Sequence, residues 1–361
     1  MKCTIVIQSK NSFDYLALFL AHHERLADRI VIIDHNSDRD LRGLRSDKIE
    51  VYRLGLAAYM QAHTLNFLLH TVLQVTRESG MLFILDVDEF LPFSSRSDMD
   101  AFVADHRKDA IVSFRWRNGY APEPGQLVDP SGIRFCRQRT PTRKLAYNLD
   151  KLGLFFPLGG NHEVRLARPF WRRRGPTVDV VDSGLGLLHL PFVGLEGLRQ
   201  KVRDNPAHEF AGKISANYRL LGLKEDRPWA QDAVSEEVML QLIANYRTNV
   251  PQGRLNVVAG DFEPVSFLTG LTDRVLAWRD RIEKCGAVDP VQSDGDAIAA
   301  LKAVRPGCSG YVRQLRRHLR VGKGGEVVLA AHSFGVKDLA RLMMPIAGFF
   351  TRNPVGNRDV R

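Results

Sequence analysis

Cysteine is scarce, with only Cys3, Cys136, Cys285 and Cys308 in the 361-residue chain. They lie far apart and form no Cys-x-x-Cys pair, which argues against a zinc site or a disulfide framework and fits a reducing compartment. No apolar run approaches the roughly 20 residues that a membrane-spanning helix needs. The opening MKCTIVIQSK has one lysine ahead of a short β-rich run, without the longer apolar stretch and cleavage site of a secretory leader. These absences predict a soluble, cytoplasmic protein. Internal repeats and low-complexity segments are also missing. Acidic residues are outnumbered, 41 against 51 basic, and the formal net charge of +10 implies anionic partners. The densest basic clusters, FWRRRG (170–175) and YVRQLRRHLRVGKGG (311–325), lack interleaved stacking aromatics, so nucleic acid is not an expected partner.

What is present in the first 90 residues is an alternation. The β-rich runs CTIVIQ, RIVIID, IEVYRL and MLFILD are separated by SFDYLALFLAHHERLA and AYMQAHTLNFLLHTVLQVTRE, which carry helical apolar spacing. This βαβαβαβ reading predicts an α/β fold: a Rossmann-like sheet, parallel in this part, with right-handed crossovers and ligands bound beyond the carboxyl ends of its strands. The tips to inspect are therefore residues 8–11, 34–38 and 86–89. From about 110 to 190 the pattern becomes short strands (AIVSFRW, GLFFPL, HEVRLA, LGLLHL). Beyond about 194 it is mostly helical, with EEVMLQLIANYR, LTDRVLAWRDRIEKC, GDAIAALKAV and VKDLARLMMPIAGFF. The expected division is a catalytic α/β domain over 1–225 and a mostly helical C-terminal region over 226–361.

The fourth run ends in acid. MLFILDVDEFLPF (81–93) drives five apolar residues into Asp86, Asp88 and Glu89 and then turns apolar again, so something must offset the crowded charge. Asp86 and Asp88 are two apart, and in extended geometry both would point to one side. Two converging carboxylates suit Mg²⁺ or Mn²⁺, with a bound diphosphate completing the coordination. A solvated, helix-capping turn is the bland alternative. An aspartyl nucleophile of the haloacid-dehalogenase phosphatase type is a rival, weakened because that pattern wants Thr or Val where this chain has Phe90.

With KNSFDYLALFLAHHERLADRIVIIDHNSDRDLRGL (10–44), FILDVDEFLPF, GNHEV (160–164) and LLHLPF (187–192), the chain resembles the glycosyltransferase family 2 related group, of GT-A fold, over roughly residues 1–220. The resemblance implies inverting sugar transfer from a nucleotide-sugar, a UDP-sugar in the first instance, to a hydroxyl of a glycan or lipid-linked acceptor. It also implies Mn²⁺ or Mg²⁺ held by Asp86, Asp88 and the late His189. Asn11, Asp34, Asp38 and Asp86 would meet the donor, with Asp34 reaching the base. Lys201 would approach the diphosphate from a following helix, unless it merely belongs to a solvated basic face. Where relatives carry Lys-Asn-Glu, this chain has Lys10, Asn11 and Ser12, which removes one expected donor contact.

An inverting transfer needs a base for the acceptor hydroxyl. Glu163, after the Gly159–Gly160 pair and between the acidic motif and His189, is the candidate, with His162 as substitute and an exposed pair with Arg165 as the bland reading. Arg143 and Lys144 are expected to face water. Ser333, in VVLAAHSFGVKDLARLM, imitates a hydrolase nucleophile but has no histidine after it. The helices YVRQLRRHLR and LARLMMPIAGFF suit either packing on the catalytic domain or a peripheral contact with an anionic membrane at its inner face. A binding module without turnover is the remaining alternative.

Overall fold

The computed structural model describes residues 1–58, 60–167, 178–194, 197, 235–246, 256–294, 297–306, 310–322 and 324–329. Strand β1 (Cys3–Ser9) leads into helix α1 (Phe13–His23), then β2 (Arg29–Asp34), β3 (Ile49–Leu54), α2 (Gln61–Phe67) and β4 (Met81–Asp86). A two-residue β5 (Glu89–Phe90) and α3 (Arg96–Asp105) follow. Next come β6 (Ile111–Tyr120), β7 (Arg134–Cys136), β8 (Arg143–Asn148), β9 (Phe155–Leu158), β10 (Glu163–Leu166) and β11 (Val180–His189). The later elements are α4 (Glu236–Ala244), β12 (Phe262–Pro264), α5 (Thr272–Glu283), α6 (Ala297–Lys302), α7 (Tyr311–His318), β13 (Leu319–Val321) and β14 (Glu326–Leu329).

The runs read as strands are strands because nearly every residue in β1, β2 and β4 is buried, which is what a sheet covered on both faces requires. They form the parallel centre β4-β1-β2-β3 of a large mixed sheet flanked by helices, an α/β fold of Rossmann-like character. The antiparallel strands β8, β6 and β7 extend it beyond β4. One hydrophobic cluster lies on each face. Ile5, Ile7, Phe83 and Leu85 face α1, while Val6, Leu82 and Ile84 face the layer that contains α2. Gly80, at φ +102°, lets the start of β4 lie against β1: a Cβ there would sit 2.1 Å from the Lys2 carbonyl oxygen.

The second predicted helix is broken. After α2 the chain widens into a π turn at Leu68–Val72, and Gln74 takes a left-handed conformation before a short 3-10 turn. The region beyond 226 also departs from a purely helical extension. Its β12 pairs with β7 at one edge of the large sheet, while β14 pairs parallel with β3 at the other and carries β13. Helix α5 lies along α1, with Arg279–Asp14 and Arg274–Glu24 pairs at 3.0 and 3.3 Å. The segment VKDLARLMMPIAGFF, Ser333 and the whole of FWRRRG lie outside the described residues. Among the described residues, no helix is long and apolar enough to cross a membrane.

Candidate active site

Parallel register brings the three predicted tips together at one edge of the sheet, pairing Gln8 with Asp86 and Ser9 with Asp34. At the end of β4 the backbone turns at Val87–Asp88, and the Asp86 N–H donates to Glu89 Oε2 at 2.8 Å to close the turn. The chain is no longer extended at Asp88, so the strand spacing that the sequence suggested for Asp86 and Asp88 does not apply there. Their carboxylates serve different neighbours.

Asp86 accepts from Lys144 Nζ at 2.6 Å and from Gln61 Nε2 at 3.3 Å. Lys144 does not face water as expected. It is fully buried on β8, with Nζ 3.2 Å from Glu89 as well, whereas its neighbour Arg143 is exposed. The physical reason is charge: an ammonium can be buried here because two carboxylates meet it. Glu89 has no solvent exposure, and its other oxygen accepts from Trp116 Nε1 at 2.7 Å. Burial above all, with the Asp86 and Asp88 charges adding to it and Lys144 opposing, pushes the Glu89 carboxyl up to about 8. Despite the cost of burying it, the Lys144 ammonium is held above its ordinary range by Asp86 and Glu89.

Asp88 belongs with His189. The His189 Nε2 lies 3.6 Å from Asp88 Oδ2, and its Nδ1 is 2.8 Å from Asn118 Oδ1. Asn118 donates its amide to the Ile243 carbonyl at 2.8 Å, so its oxygen accepts and His189 Nδ1 carries the proton. The Nε2 atom thereby faces the Asp88 carboxylate. Trp116 stacks on the His189 ring at 4.0 Å, and Tyr246 lies at 5.3 Å. Nearby, the Tyr15 hydroxyl is buried without a hydrogen-bond partner; burial first, then the Asp88 charge, holds its phenol well above the usual range.

Asp88 and His189 are the residues here that could take part in holding a divalent cation. Lys144 offsets one carboxylate, which leaves negative charge at Asp88 beside an imidazole nitrogen braced by an amide behind it. Mg²⁺ and Mn²⁺ sites of this kind use one or two protein ligands and take the rest from phosphates and water. Among the described residues, no group of three or more His, Cys, Asp and Glu is arranged to hold a metal, in keeping with Asp86 turning to Lys144.

The tip is held from below by α1. His22 Nε2 donates to the Leu91 carbonyl at 2.8 Å, and the Leu91 N–H donates to His23 Nε2 at 3.1 Å, so adjacent histidines hold both backbone polar groups of one residue just after the acidic turn. His23 can accept there because its Nδ1 proton goes to the Phe19 carbonyl at 2.9 Å. Burial lowers His22 to about 3 and His23 well below the ordinary imidazole range, keeping both neutral.

Of the other predicted residues, His162 lies closest to this cluster. Its ring meets Trp116 edge-on at 5.2 Å, and its Nδ1 donates to the Arg143 carbonyl at 2.6 Å. Glu163, the next residue, is solvent-exposed on β10. Arg165 does not pair with it as in the bland reading and donates to the Pro306 carbonyl at 3.0 Å. Asp34 is fully buried, 2.9 Å from Arg53 Nη1 and accepting from the Ser37 N–H, and burial raises its carboxyl despite both. Asp38 is exposed, and its N–H donates to Asn11 Oδ1 at 2.9 Å, tying two predicted donor contacts into one loop. Lys201 lies outside the described residues.

A strap from the C-terminal region crosses the tips of β2 and β3. The Asp40 N–H donates to the Gly286 carbonyl and the Val288 N–H to that of Asp38, both at 2.9 Å. The Asn36 side chain exchanges two 2.8 Å bonds with the Val291 backbone, and Asp294 accepts from the Ala57 and Ala58 N–H groups at 2.8 and 2.6 Å. Tyr15, Gln61, Trp116, Asn118, Lys144 and Tyr246 are site residues that sequence reasoning missed. The one available signal was a lysine inside LAYN-bounded strand sequence, a position where a solvated lysine would be unusual.

No protein-family model matches the chain, and no curated protein matches it.

Proposed function

We propose that the protein is a metal-dependent, inverting glycosyltransferase of GT-A fold that moves a sugar from a nucleotide-sugar, a UDP-sugar in the first instance, to a hydroxyl of a glycan or lipid-linked acceptor. The observation that carries this reading is the Asp88–His189 pair, 3.6 Å apart at the carboxyl end of a parallel sheet. Asp88 and His189 would hold Mn²⁺ or Mg²⁺, and a bound ion would offset the charge developing on the diphosphate as the glycosidic bond breaks. Lys144 keeps Asp86 beside this point while leaving it partly exposed, suited to a donor hydroxyl. Trp116 supports His189 with one face and excludes water from Glu89.

The acceptor hydroxyl loses its proton to the His162–Glu163 pair. His162 is the better-supported member, because its ring packs edge-on against Trp116 and its Nδ1 is fixed by the Arg143 carbonyl, whereas Glu163 is exposed. The aspartyl-phosphate alternative would need Asp86 as an attacking nucleophile, yet Lys144 and Gln61 each engage one of its oxygens. The test is a thermal-shift panel of nucleoside diphosphates with and without Mn²⁺, repeated on Asp88→Asn. One nucleotide should stabilise the protein only with the metal, and the variant should lose the shift. Stabilisation that ignores metal, or survives in Asp88→Asn, overturns the reading.

A further inference from the structure

On β6, Arg115 and Arg117 alternate with Trp116, so they leave the strand from the face opposite the acidic tip. There they meet Arg137 and Arg139, which follow β7. Two carboxylates hold the four guanidinium groups: Asp182 lies 3.0 Å from Arg115 and 3.3 Å from Arg139, and Glu263 lies 2.6 Å from Arg117 and 3.0 Å from Arg137. Four cations against two anions leave an excess of positive charge. Arg117, Arg137 and Arg139 line a cavity of about 420 Å³, whose other wall is apolar and includes Leu185, Leu188 and Phe267. That size is within the range of small-molecule sites.

Two features show how the chain opens this space. Gly186 lets Arg117 lie across β11, since a Cβ at that position would sit 2.3 Å from Arg117 Cδ. The register between β11 and β6 shifts between Asp182 and Gly186, and the displaced residues carry the large apolar side chain of Leu185 into solvent. An exposed leucine beside surplus guanidinium groups is the complement of a ligand with an anionic head and an apolar body. Arginine forks match phosphate oxygens in pairs, and partly exposed ion pairs give way readily to such a competitor.

We propose that this cavity binds an organic phosphate, its phosphate on Arg137 and Arg139 and its apolar group against Leu185 and Phe267. The same chemistry is offered by a soluble phosphorylated metabolite and by the headgroup of an anionic lipid. Calorimetric titration with phenyl phosphate, in EDTA and at fixed ionic strength, tests the site. The protein should show one saturable site, weakened at least tenfold in Arg137→Gln/Arg139→Gln and unchanged in Asp88→Asn, which separates it from the strand tip. Leu185→Ser should weaken phenyl phosphate severalfold while leaving inorganic phosphate as it was. Both arginines are partly exposed, so the double variant should keep its melting temperature. Cosedimentation with phosphatidic acid vesicles, lost in the same double variant, would assign the site to a lipid headgroup. Binding of phenyl phosphate without vesicle binding would assign it to a soluble ligand. No saturable binding, or equal affinity in the double variant, overturns the proposal.

Discussion

Lys144 is the residue on which the acidic tip depends. A buried ammonium and two buried or half-buried carboxylates are individually unfavourable and stable only together, so removing the cation should cost more than any hydrogen bond it makes. Lys144→Met is expected to lower stability by about 3–5 kcal/mol, read from urea unfolding. Burial already favours the protonated form of Glu89, so the charge left stranded is that of Asp86. Adding Asp86→Asn should recover part of the loss, and the Lys144–Asp86 double-mutant cycle should show coupling above about 1 kcal/mol. A single-variant cost near zero would mean that the three groups are not held as the distances indicate.

At the scale of elements, α1 does more than cover the sheet, since its last turn fixes the backbone of Leu91, just after the acidic turn. His23→Leu leaves the Leu91 N–H buried without an acceptor and should cost about 1–3 kcal/mol. The pair also sets a pH dependence. Both imidazoles have folded values below the unfolded 6.5, so the unfolded chain binds more protons under acid conditions. Their stabilisation is complete above about pH 6.5 and is lost as pH falls toward the folded value of about 3 for His22. Urea midpoints measured from pH 7 to pH 4 should fall, and His23→Leu should flatten the slope by about 1.4 kcal/mol per pH unit. An unchanged slope in the variant would assign the acid sensitivity to other groups.

The whole molecule is closed by its C-terminal region, which completes both edges of the large sheet and lays the strap 286–294 over the tips of β2 and β3. Asp294 is the anchor at the far end. Asp294→Ala should cost about 1–3 kcal/mol, since two backbone N–H groups lose a charged acceptor, and hydrogen exchange at Ala57 and Ala58 should quicken well ahead of exchange in β1. Uniform acceleration would indicate a global effect instead of release of the strap. The strap also takes up the Asn36 side chain, which is bonded to Val291, while Asp34 is buried against Arg53.

By itself the sequence determined the central strands and the acidic edge. A strand buried on both faces must be written as an unbroken apolar run, and a parallel register then delivers the residues after each run to the same side of the sheet. Asp88 was legible for that reason, whereas His189 was picked out by the family resemblance and not by any local pattern. Tertiary structure alone decided that Asp86 would pair with Lys144, 58 residues further on, and that Trp116 and Asn118 would brace Glu89 and His189. Local periodicity carries no record of which antiparallel strand will lie beside β4, and a lysine is stable in a core only where distant acids happen to meet it. The C-terminal strands were missed on similar grounds. Three- and four-residue edge strands have too few residues to show a period, and only the exposed edges of the folded sheet give them something to pair with.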